Sequence, residues 1–339
     1  MGGLAIKNAF TRRYSKDEFE LIIPDILEKA KTIFPDAVST KAYRNKPSFG
    51  DADILCLWDG KHHDLKEWIR ITFNSKEVVQ NTTVYSFEYK ELQVDFILTP
   101  PENWESAQTY FSYNDIHNLI GKLFHSVGLK WGQDGLRYVY RIDGKVLGEI
   151  NLTTKYEEAF KLVGLDPKIY SDGFDDLIDM FKYVVTSPFF NPIKYDLENL
   201  NRINRERDKK RKTYAAFIEF IEPIRGAEYK FLYPDKKVYL GLIDHYFPGF
   251  LKKYRDLEII EERKRKIHSL YNGNIIMSRY NIEGKELGKC MNDFLQEFYF
   301  TRGTNDYTLF EDWLLDLNDS DKILHHFGYV NKLTPIFNS

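Results

Sequence analysis

The chain has 339 residues and a net charge of −3, and its 43% hydrophobic and 29% charged residues support a packed core and argue against extended disorder. This length predicts two domains, with three small ones as the alternative. Cys56 and Cys290 provide no disulfide framework, and the lack of a signal peptide or a long apolar run predicts a cytoplasmic protein without membrane contact.

The first predicted element is a helix from Ser15 to Phe34, in which apolar residues recur at helical spacing. Ser15 is a suitable N-cap, and Glu18 three residues later completes a capping-box pattern. Pro35 then ends the helix, which we expect to precede a sheet.

Two aspartates mark the most informative stretch of the chain. Asp51 and Asp53 come directly before the apolar run Ile54–Trp58, which reads as a buried strand. Side chains two positions apart on a strand point to the same face, so the two carboxylates would share a small volume. Such a pair resists joint ionisation unless a cation neutralises it, and carboxylate oxygens suit Mg²⁺. The alternative is a simple turn without a catalytic role.

A third carboxylate is expected beside this pair. Leu92–Leu98 reads as a strand whose only charge is Asp95, and Lys90-Glu91 connects it to the preceding strand Thr83–Tyr89. An aspartate within an apolar strand is costly to bury without a partner or a metal. Asp51, Asp53 and Asp95 would together form the carboxylate set of a two-metal phosphoryl-transfer site.

The following elements are predicted to alternate between helix and hairpin. Residues 108–127 read as one helix, and Arg137–Asn151 as a hairpin around Asp143-Gly144, a strong type I′ turn signal. Thr153–Val163 reads as another helix. The residues Gly164–Pro167 include a glycine and a proline, which are typical of a break between elements, and we place a domain boundary at residue 167.

A basic segment lies in the predicted helical part that follows. Residues 201–270 contain 18 Lys and Arg against 11 Asp and Glu, so this segment carries +7 and the rest of the chain −10. Such a segment suits the backbone of a nucleic acid, with Tyr214, Phe217 and Phe220 as stacking platforms. A solvated helix face is the alternative. The residues assigned to nucleic-acid binding here are Arg205, Arg207, Lys209, Lys210 and Arg211.

Several short motifs occur in the order known from one enzyme family. They are Gly50-Asp51-Ala52-Asp53, Val94-Asp95-Phe96, the run Tyr110–Asn118 and the run Thr153–Phe160. With them, residues 40–167 resemble the palm and nucleotide-binding part of polymerase-beta-like (family X) nucleotidyltransferases. The resemblance implies two Mg²⁺ ions, with Mn²⁺ as a possible substitute, held by the three aspartates. Asp95 would also help to activate the attacking 3′-hydroxyl.

The same resemblance implies roles for other residues. Arg44 would contact the triphosphate, Tyr110 and Phe111 would lie beside the sugar, Asp115 and Asn118 would face the incoming base, and Lys122 would lie near a template. Ser48 and Gly50 are assigned to nucleotide binding with them.

The chain departs from the family pattern at two places. Thr40-Lys41 replaces the phosphate-binding Gly-Ser, where Lys41 would act as a point charge, and Tyr113-Asn114 replaces a second Gly-Ser. About forty residues precede the palm, so the DNA-gripping modules of the family are not expected.

A weaker resemblance joins residues 271–290 to the helical body of tRNA CCA-adding enzymes and poly(A) polymerases. The resulting prediction is an α+β protein, with a palm of mixed or antiparallel sheet and helices in residues 1–167 and a mainly helical, nucleic-acid-binding domain in residues 168–339. The expected activity is nucleotide addition from a nucleoside triphosphate to an RNA 3′ end, tRNA-like in kind. A family X DNA polymerase and a catalytically inactive nucleic-acid-binding module are the alternatives.

Overall fold

The computed structural model describes residues 5–60, 64–113, 115–226, 229 and 235–336. The chain divides into two compact units, residues 1–251 and 252–339. The structure is mixed α/β with a mixed sheet, and its C-terminal region is helical. None of the helices in the described residues has the length and apolar character needed to cross a membrane.

The N-terminal helix forms as the sequence predicts, with a shorter C-terminal end. A short strand, β1 (Tyr14–Ser15), leads into α1 (Lys16–Ala30). The Ser15 side chain accepts a hydrogen bond from the Glu18 amide, and the Glu18 carboxylate accepts one from the Ser15 amide, which completes the capping box. The helix buries Ile22, Ile26 and Ala30.

A five-stranded sheet forms the centre of the first unit. The strands and the helix among them are β2 (Val38–Ser39), β3 (Ser48–Phe49), β4 (Asp51–Leu57), α2 (Leu65–Phe73), β5 (Val78–Asn81), β6 (Val84–Tyr89) and β7 (Leu92–Thr99). The order in the sheet is β2-β4-β7-β6-β5, and β3 pairs with β1 in a separate ribbon. Neighbours are antiparallel except β4 and β7, which are parallel. Phe34, Phe87 and Phe96 lie in the core beside this sheet.

A tight turn brings the third aspartate strand into place. Lys90 and Glu91 have φ values of 50° and 65°, the left-handed conformation that a type I′ hairpin turn needs at both positions. This turn pairs β6 with β7 so that Ser86 lies opposite Asp95. The predicted hairpin is confirmed.

The predicted helix at 108–127 is wrong as one element, because the chain breaks it into α3 (Trp104–Tyr110) and α4 (Ile116–Ser126). Tyr113 adopts φ 57° and donates its amide hydrogen bond to the Lys41 carbonyl, which takes it out of the helical ladder. The break holds the segment after Tyr110 against the start of the sheet.

A three-stranded sheet follows, in the order β10-β9-β8. Its strands are β8 (Leu129–Gly132), β9 (Gly135–Ile142) and β10 (Lys145–Thr153). Asp143 and Gly144 have φ values of 49° and 78°, so the predicted hairpin turn is confirmed.

α-Helices make up most of the remaining regular structure of the first unit. They are α5 (Tyr156–Leu162), α6 (Pro167–Asp172), α7 (Leu177–Val185), α8 (Arg202–Asp208), α9 (Lys212–Ile221) and α10 (Leu240–Tyr246). Residues 168–251 belong to this unit, so its limit does not coincide with the boundary predicted at residue 167. The reason is visible in buried bonds across that point: the Tyr170 hydroxyl donates to the Thr109 carbonyl, and the Tyr195 hydroxyl to the Leu119 carbonyl.

The second unit has a core of its own. Its helices are α11 (Phe250–Leu270), which begins in the last two residues of the first unit, α12 (Gly273–Tyr280), α13 (Gly284–Arg302), α14 (Tyr307–Leu317) and α15 (Ser320–Asn331). Asn272, Asp306 and Asp319 cap three of these helices through their side chains. Phe294, Phe310 and Phe327 are buried at its centre.

A buried histidine fixes α4 against neighbouring elements. His117 Nδ1 accepts a hydrogen bond from Trp131 Nε1 at 2.9 Å, because an indole nitrogen is only a donor. The proton of the neutral ring therefore lies on Nε2, which donates to the Tyr170 hydroxyl at 2.8 Å. Burial lowers the pKa of His117 to about 3.

This histidine makes the first unit sensitive to acid. An unfolded histidine has a pKa of about 6.5, so the unfolded chain binds the proton more readily as the pH falls below that value. The contribution of His117 to stability is complete above pH 6.5 and is lost as the pH falls from there toward 3. We expect the His117→Gln variant to show a shallower acid decline, with a difference of about 2 kcal/mol between pH 7 and pH 5. Urea unfolding at several pH values measures it, and exposed His245→Gln, which should retain the wild-type decline, is the control.

Candidate metal and nucleotide site

Three carboxylates converge at one end of the parallel strand pair. Asp51 and Asp53 lie on β4 and Asp95 on β7, and Asp53 lies opposite Asp95 in the register. One oxygen from each of the three side chains lies within 4.8 Å of the others. The predicted convergence is confirmed, and this set of oxygens is suited to a divalent metal ion.

The three groups oppose one another electrostatically. Burial raises the pKa of Asp53 to about 8, and the charges of Asp51 and Asp95 add to the rise. Burial also raises the pKa of Asp95 to about 6 and that of Asp51 above its ordinary value. A bound divalent cation would relieve this repulsion, because it favours the ionised form of all three.

Two neighbouring side chains orient Asp95. Gln93 donates from Nε2 to both carboxylate oxygens of Asp95 at 3.0 Å, and its own Oε1 accepts from the Ala5 amide at 3.1 Å. Ser86, opposite on β6, also hydrogen-bonds Asp95. The sequence analysis did not identify Gln93 and Ser86. The signal was available for Gln93, which lies two positions before Asp95 and therefore on the same face of the strand.

Some predicted nucleotide-binding residues lie beside the carboxylates. Ser48 is on β3, and Gly50 connects β3 to Asp51 on β4. The Thr40 amide donates to the Asp53 carbonyl at 3.1 Å, which brings the following residue, exposed Lys41, to the same end of the sheet.

The Tyr110 and Phe111 pair approaches this end through the helix break. Their rings are half-buried and packed edge to face with centres 5.4 Å apart. Ser112 accepts from the Lys41 amide at 3.3 Å through its side chain, and the Tyr113 amide donates to the Lys41 carbonyl. Asn114 lies outside the described residues.

Arg44 is engaged elsewhere. Its guanidinium forms an ion pair with Asp175 at 2.5 Å and donates to the Asp172 carbonyl. The residue that the resemblance assigns to the triphosphate is thus directed to the segment after α6.

The α4 residues predicted to face the base and template are joined to the basic segment. Asp115 pairs with Arg211. Asn118 accepts from Arg207 at 2.8 Å and donates to Asp208 at 3.1 Å.

Asp208 is the centre of this network. Its side chain has no exposed surface and is bonded to Lys122 at 3.1 Å and to Arg207 at 3.0 Å. Lys122, 12% exposed, also lies over the Tyr214 ring. Burial lowers the pKa of Lys122, and the charge of Asp208 opposes that effect. The sequence analysis did not single out Asp208, because an acidic residue within a basic run carries no signal of burial.

The basic segment separates into structural and exposed residues. Arg205 donates to the carbonyls of Leu197, Glu198 and Leu200, whereas Lys209 and Lys210 are exposed. The predicted stacking role of Tyr214 and Phe217 is wrong, because these rings are 1% and 0% exposed. Phe220 is half-buried and packs 5.6 Å from Phe181 between ring centres. The aromatic spacing on α9 therefore reflects a core-facing side of the helix.

No protein-family model matches the chain, and no curated protein matches it.

Proposed function

We propose that this protein is a metal-dependent nucleotidyltransferase that adds nucleotides from a nucleoside triphosphate to the 3′ end of a nucleic acid. The observation that supports it is the convergence of Asp51, Asp53 and Asp95 on adjacent parallel strands. The order of the sequence motifs around these strands, which resembles that of family X nucleotidyltransferases, supports nucleotidyl transfer as the reaction of this carboxylate set.

The chain's own groups account for the main requirements of the reaction. Asp51, Asp53 and Asp95 would hold Mg²⁺, which supplies neutralisation of charge on the reacting phosphates and acidification of the attacking hydroxyl. Asp95 is fixed by Gln93 and Ser86 in an orientation from which a carboxylate oxygen can accept the hydroxyl proton. In the metal-free site burial raises the pKa of Asp95 to about 6, and bound Mg²⁺ would favour its ionised form, which is the form that can accept a proton.

We propose an RNA 3′ end, tRNA-like in kind, as the acceptor. Exposed Lys209 and Lys210 follow α8, whose Arg207 and Asp208 are bonded to α4, so these lysines offer phosphate contacts next to the segment that carries Asp115. The alternative, a family X DNA polymerase, would use Asp115 and Asn118 for a templated base pair. Both are already bonded to Arg211, Arg207 and Asp208, which favours the RNA proposal.

A panel of acceptors tests this proposal. Labelled ribonucleotides and deoxyribonucleotides are offered with Mg²⁺ to tRNA lacking its 3′ end, to single-stranded RNA and to primed DNA. We expect addition of ribonucleotides to RNA without a template. Templated addition of deoxyribonucleotides to DNA would replace the RNA proposal by the polymerase alternative.

The two exposed lysines provide a separate prediction. We expect the Lys209→Gln/Lys210→Gln variant to bind single-stranded RNA more weakly, with the slope of log K against log salt reduced by about 1.4, since each phosphate contact contributes about 0.7. Lys16→Gln/Lys31→Gln, which removes two exposed lysines of the first unit, is the charge-matched control. If the slope of log K against log salt is the same for Lys209→Gln/Lys210→Gln as for the control variant, Lys209 and Lys210 belong to a solvated helix face and do not contact phosphates.

A further inference from the structure

An arginine and a lysine lie beside the short ribbon of β1 and β3 that leads into the carboxylates. The ribbon of β1 and β3 pairs Ser15 with Ser48, three residues before Asp51. Arg13, just before β1, donates from Nε to the Ser48 hydroxyl at 3.1 Å and from Nη2 to the Ser48 carbonyl at 2.9 Å. These two hydrogen bonds use Nε and Nη2 and hold the guanidinium beside the residues that lead into β4.

The segment that carries Arg13 is well anchored. Arg12 pairs with Glu18 at 2.8 Å and with Glu91 at 3.0 Å, and Tyr14 is buried. Arg13 itself is exposed, and within the residues that the structure describes it forms no ion pair with a carboxylate. The neighbouring arginines thus differ: Arg12 stabilises the fold, whereas the Arg13 charge is available to an anion.

Lys46 lies on the same side of the carboxylates. Its ammonium lies 4.3 Å from the centre of the Phe49 ring, and Phe49 is the residue that precedes Gly50 and Asp51. Burial lowers the pKa of Lys46, and the nearby charges of Asp51 and Asp53 oppose the decrease. A half-buried lysine next to two carboxylates is a compact positive charge at the site.

Both cations contact residues that come just before Asp51 in the chain, Arg13 at Ser48 and Lys46 at Phe49. Burial raises the pKa of Asp51, and the charges of Lys46 and Arg13 act against that rise. For Asp95, burial also raises the pKa, and the other groups that shift it are Ser86, Asp51 and Gln93. The site is thus polarised, with positive groups on the β3 side and the hydrogen-bonded Asp95 on the β7 side.

We infer that Arg13 and Lys46 bind the β- and γ-phosphates of the incoming nucleoside triphosphate. This inference rests on the proposed function, in which Asp95 receives the proton of the attacking hydroxyl. In an in-line displacement the leaving pyrophosphate lies opposite the attacking oxygen, which is the Asp51 side. The Arg13 bonds to Ser48 use Nε and Nη2, and within the described residues Nη1 makes no hydrogen bond. Guanidinium and ammonium groups are the cations that recognise a polyphosphate. Arg44, by contrast, is bonded to Asp175.

The test measures polyphosphate binding separately from activity. The variants are Arg13→Gln and Lys46→Gln, and the charge-matched controls are Arg70→Gln and Lys66→Gln on α2, both exposed. Calorimetry with inorganic tripolyphosphate and Mg²⁺ gives the dissociation constant. We expect each site variant to weaken binding about tenfold, in line with the loss of one charge-assisted hydrogen bond, and each control to bind as the wild type does.

Kinetic constants and metal binding complete the test. The KM for the nucleotide should rise about tenfold in each site variant, in parallel with the tripolyphosphate dissociation constant. The KM for the acceptor should stay at the wild-type value. The binding of Mn²⁺, followed by electron paramagnetic resonance, should not weaken, because each variant removes a positive charge and no metal ligand. Arg13→Lys should lie between Arg13→Gln and the wild type, because it keeps the charge and loses the fork.

Three outcomes separate the inference from the proposed function. Wild-type tripolyphosphate binding in Arg13→Gln, an exposed position whose substitution does not disturb the core, would overturn the inference even in an active enzyme. A rise in the KM for the acceptor alone would also overturn it, because the cations would then hold the acceptor backbone. Arg13-dependent tripolyphosphate binding without nucleotide incorporation on any acceptor would support the phosphate site and contradict the proposed function.

Discussion

The Asp53→Asn variant is expected to lose activity and to gain stability in the absence of metal. A folded-state pKa of about 8 lies above the value of about 3.9 for an unfolded aspartate. The contribution of Asp53 to stability is therefore present below pH 4 and is lost as the pH rises through 8. Replacing the carboxylate by an amide removes this loss, so we expect the metal-free variant to have a higher Tm than the wild type at pH 8, with a smaller difference at pH 5.

Magnesium should reverse the order of the Tm values, so that the wild type melts above Asp53→Asn. Mg²⁺ that binds only the folded wild type raises its Tm in proportion to the logarithm of concentration, whereas Asp53→Asn should show little response. We expect nucleotide incorporation to fall by about 10³-fold, the effect of losing a group that stabilises charge in the transition state. Exposed Asp36→Asn is the matched control and should behave as the wild type. A metal-free Asp53→Asn protein that melts below the wild type at pH 8 and still responds to Mg²⁺ would contradict the assignment.

The largest loss of stability is expected from Asp208→Ala. This substitution leaves the Lys122 ammonium, only 12% exposed, without its carboxylate, together with the unpaired amide of Asn118. Breaking a buried ion pair by removing one partner costs about 3–5 kcal/mol. Urea unfolding of the variant measures the change. The loss should appear as a lower urea midpoint for unfolding of the first unit, which contains Asp208.

Two further variants isolate the ion pair. Glu206→Ala removes an exposed carboxylate from the same helix and should change stability by less than about 0.5 kcal/mol. Asp208→Leu with Lys122→Met removes both charges, and we expect it to be more stable than Asp208→Ala. If Asp208→Ala lowers the free energy of unfolding by less than about 1 kcal/mol, the Asp208–Lys122 pair contributes no more than a solvent-exposed ion pair, which would contradict this prediction.

The local parts of the fold were predictable because they depend on neighbours in sequence. The capping box at Ser15 and the turns at Lys90-Glu91 and Asp143-Gly144 each follow from two to four adjacent residues. The convergence of Asp51 with Asp95 was predictable for a related reason, since an isolated charge in an apolar strand requires a partner.

The features that the sequence did not predict depend on contacts distant in sequence. The break before α4 is held by Lys41, which lies some seventy positions upstream of its partner Tyr113. Arg44 forms an ion pair with Asp175, which lies 131 positions later in the chain. Tyr214 and Phe217 have the spacing of a stacking surface and of a core-facing helix alike, and only packing distinguishes the two.

Formation of pyrophosphate together with acceptor extension is the most direct test of the central claim, that Asp51, Asp53 and Asp95 form a nucleotidyl-transfer centre. The wild type is incubated with Mg²⁺, a nucleoside triphosphate labelled at the α-phosphate and RNA with a free 3′-hydroxyl, with Asp53→Asn and Asp36→Asn in parallel. We expect one pyrophosphate for each nucleotide added by the wild type and by Asp36→Asn, and neither product from Asp53→Asn. Equal extension by Asp53→Asn, or release of inorganic phosphate without extension by the wild type, would contradict the claim.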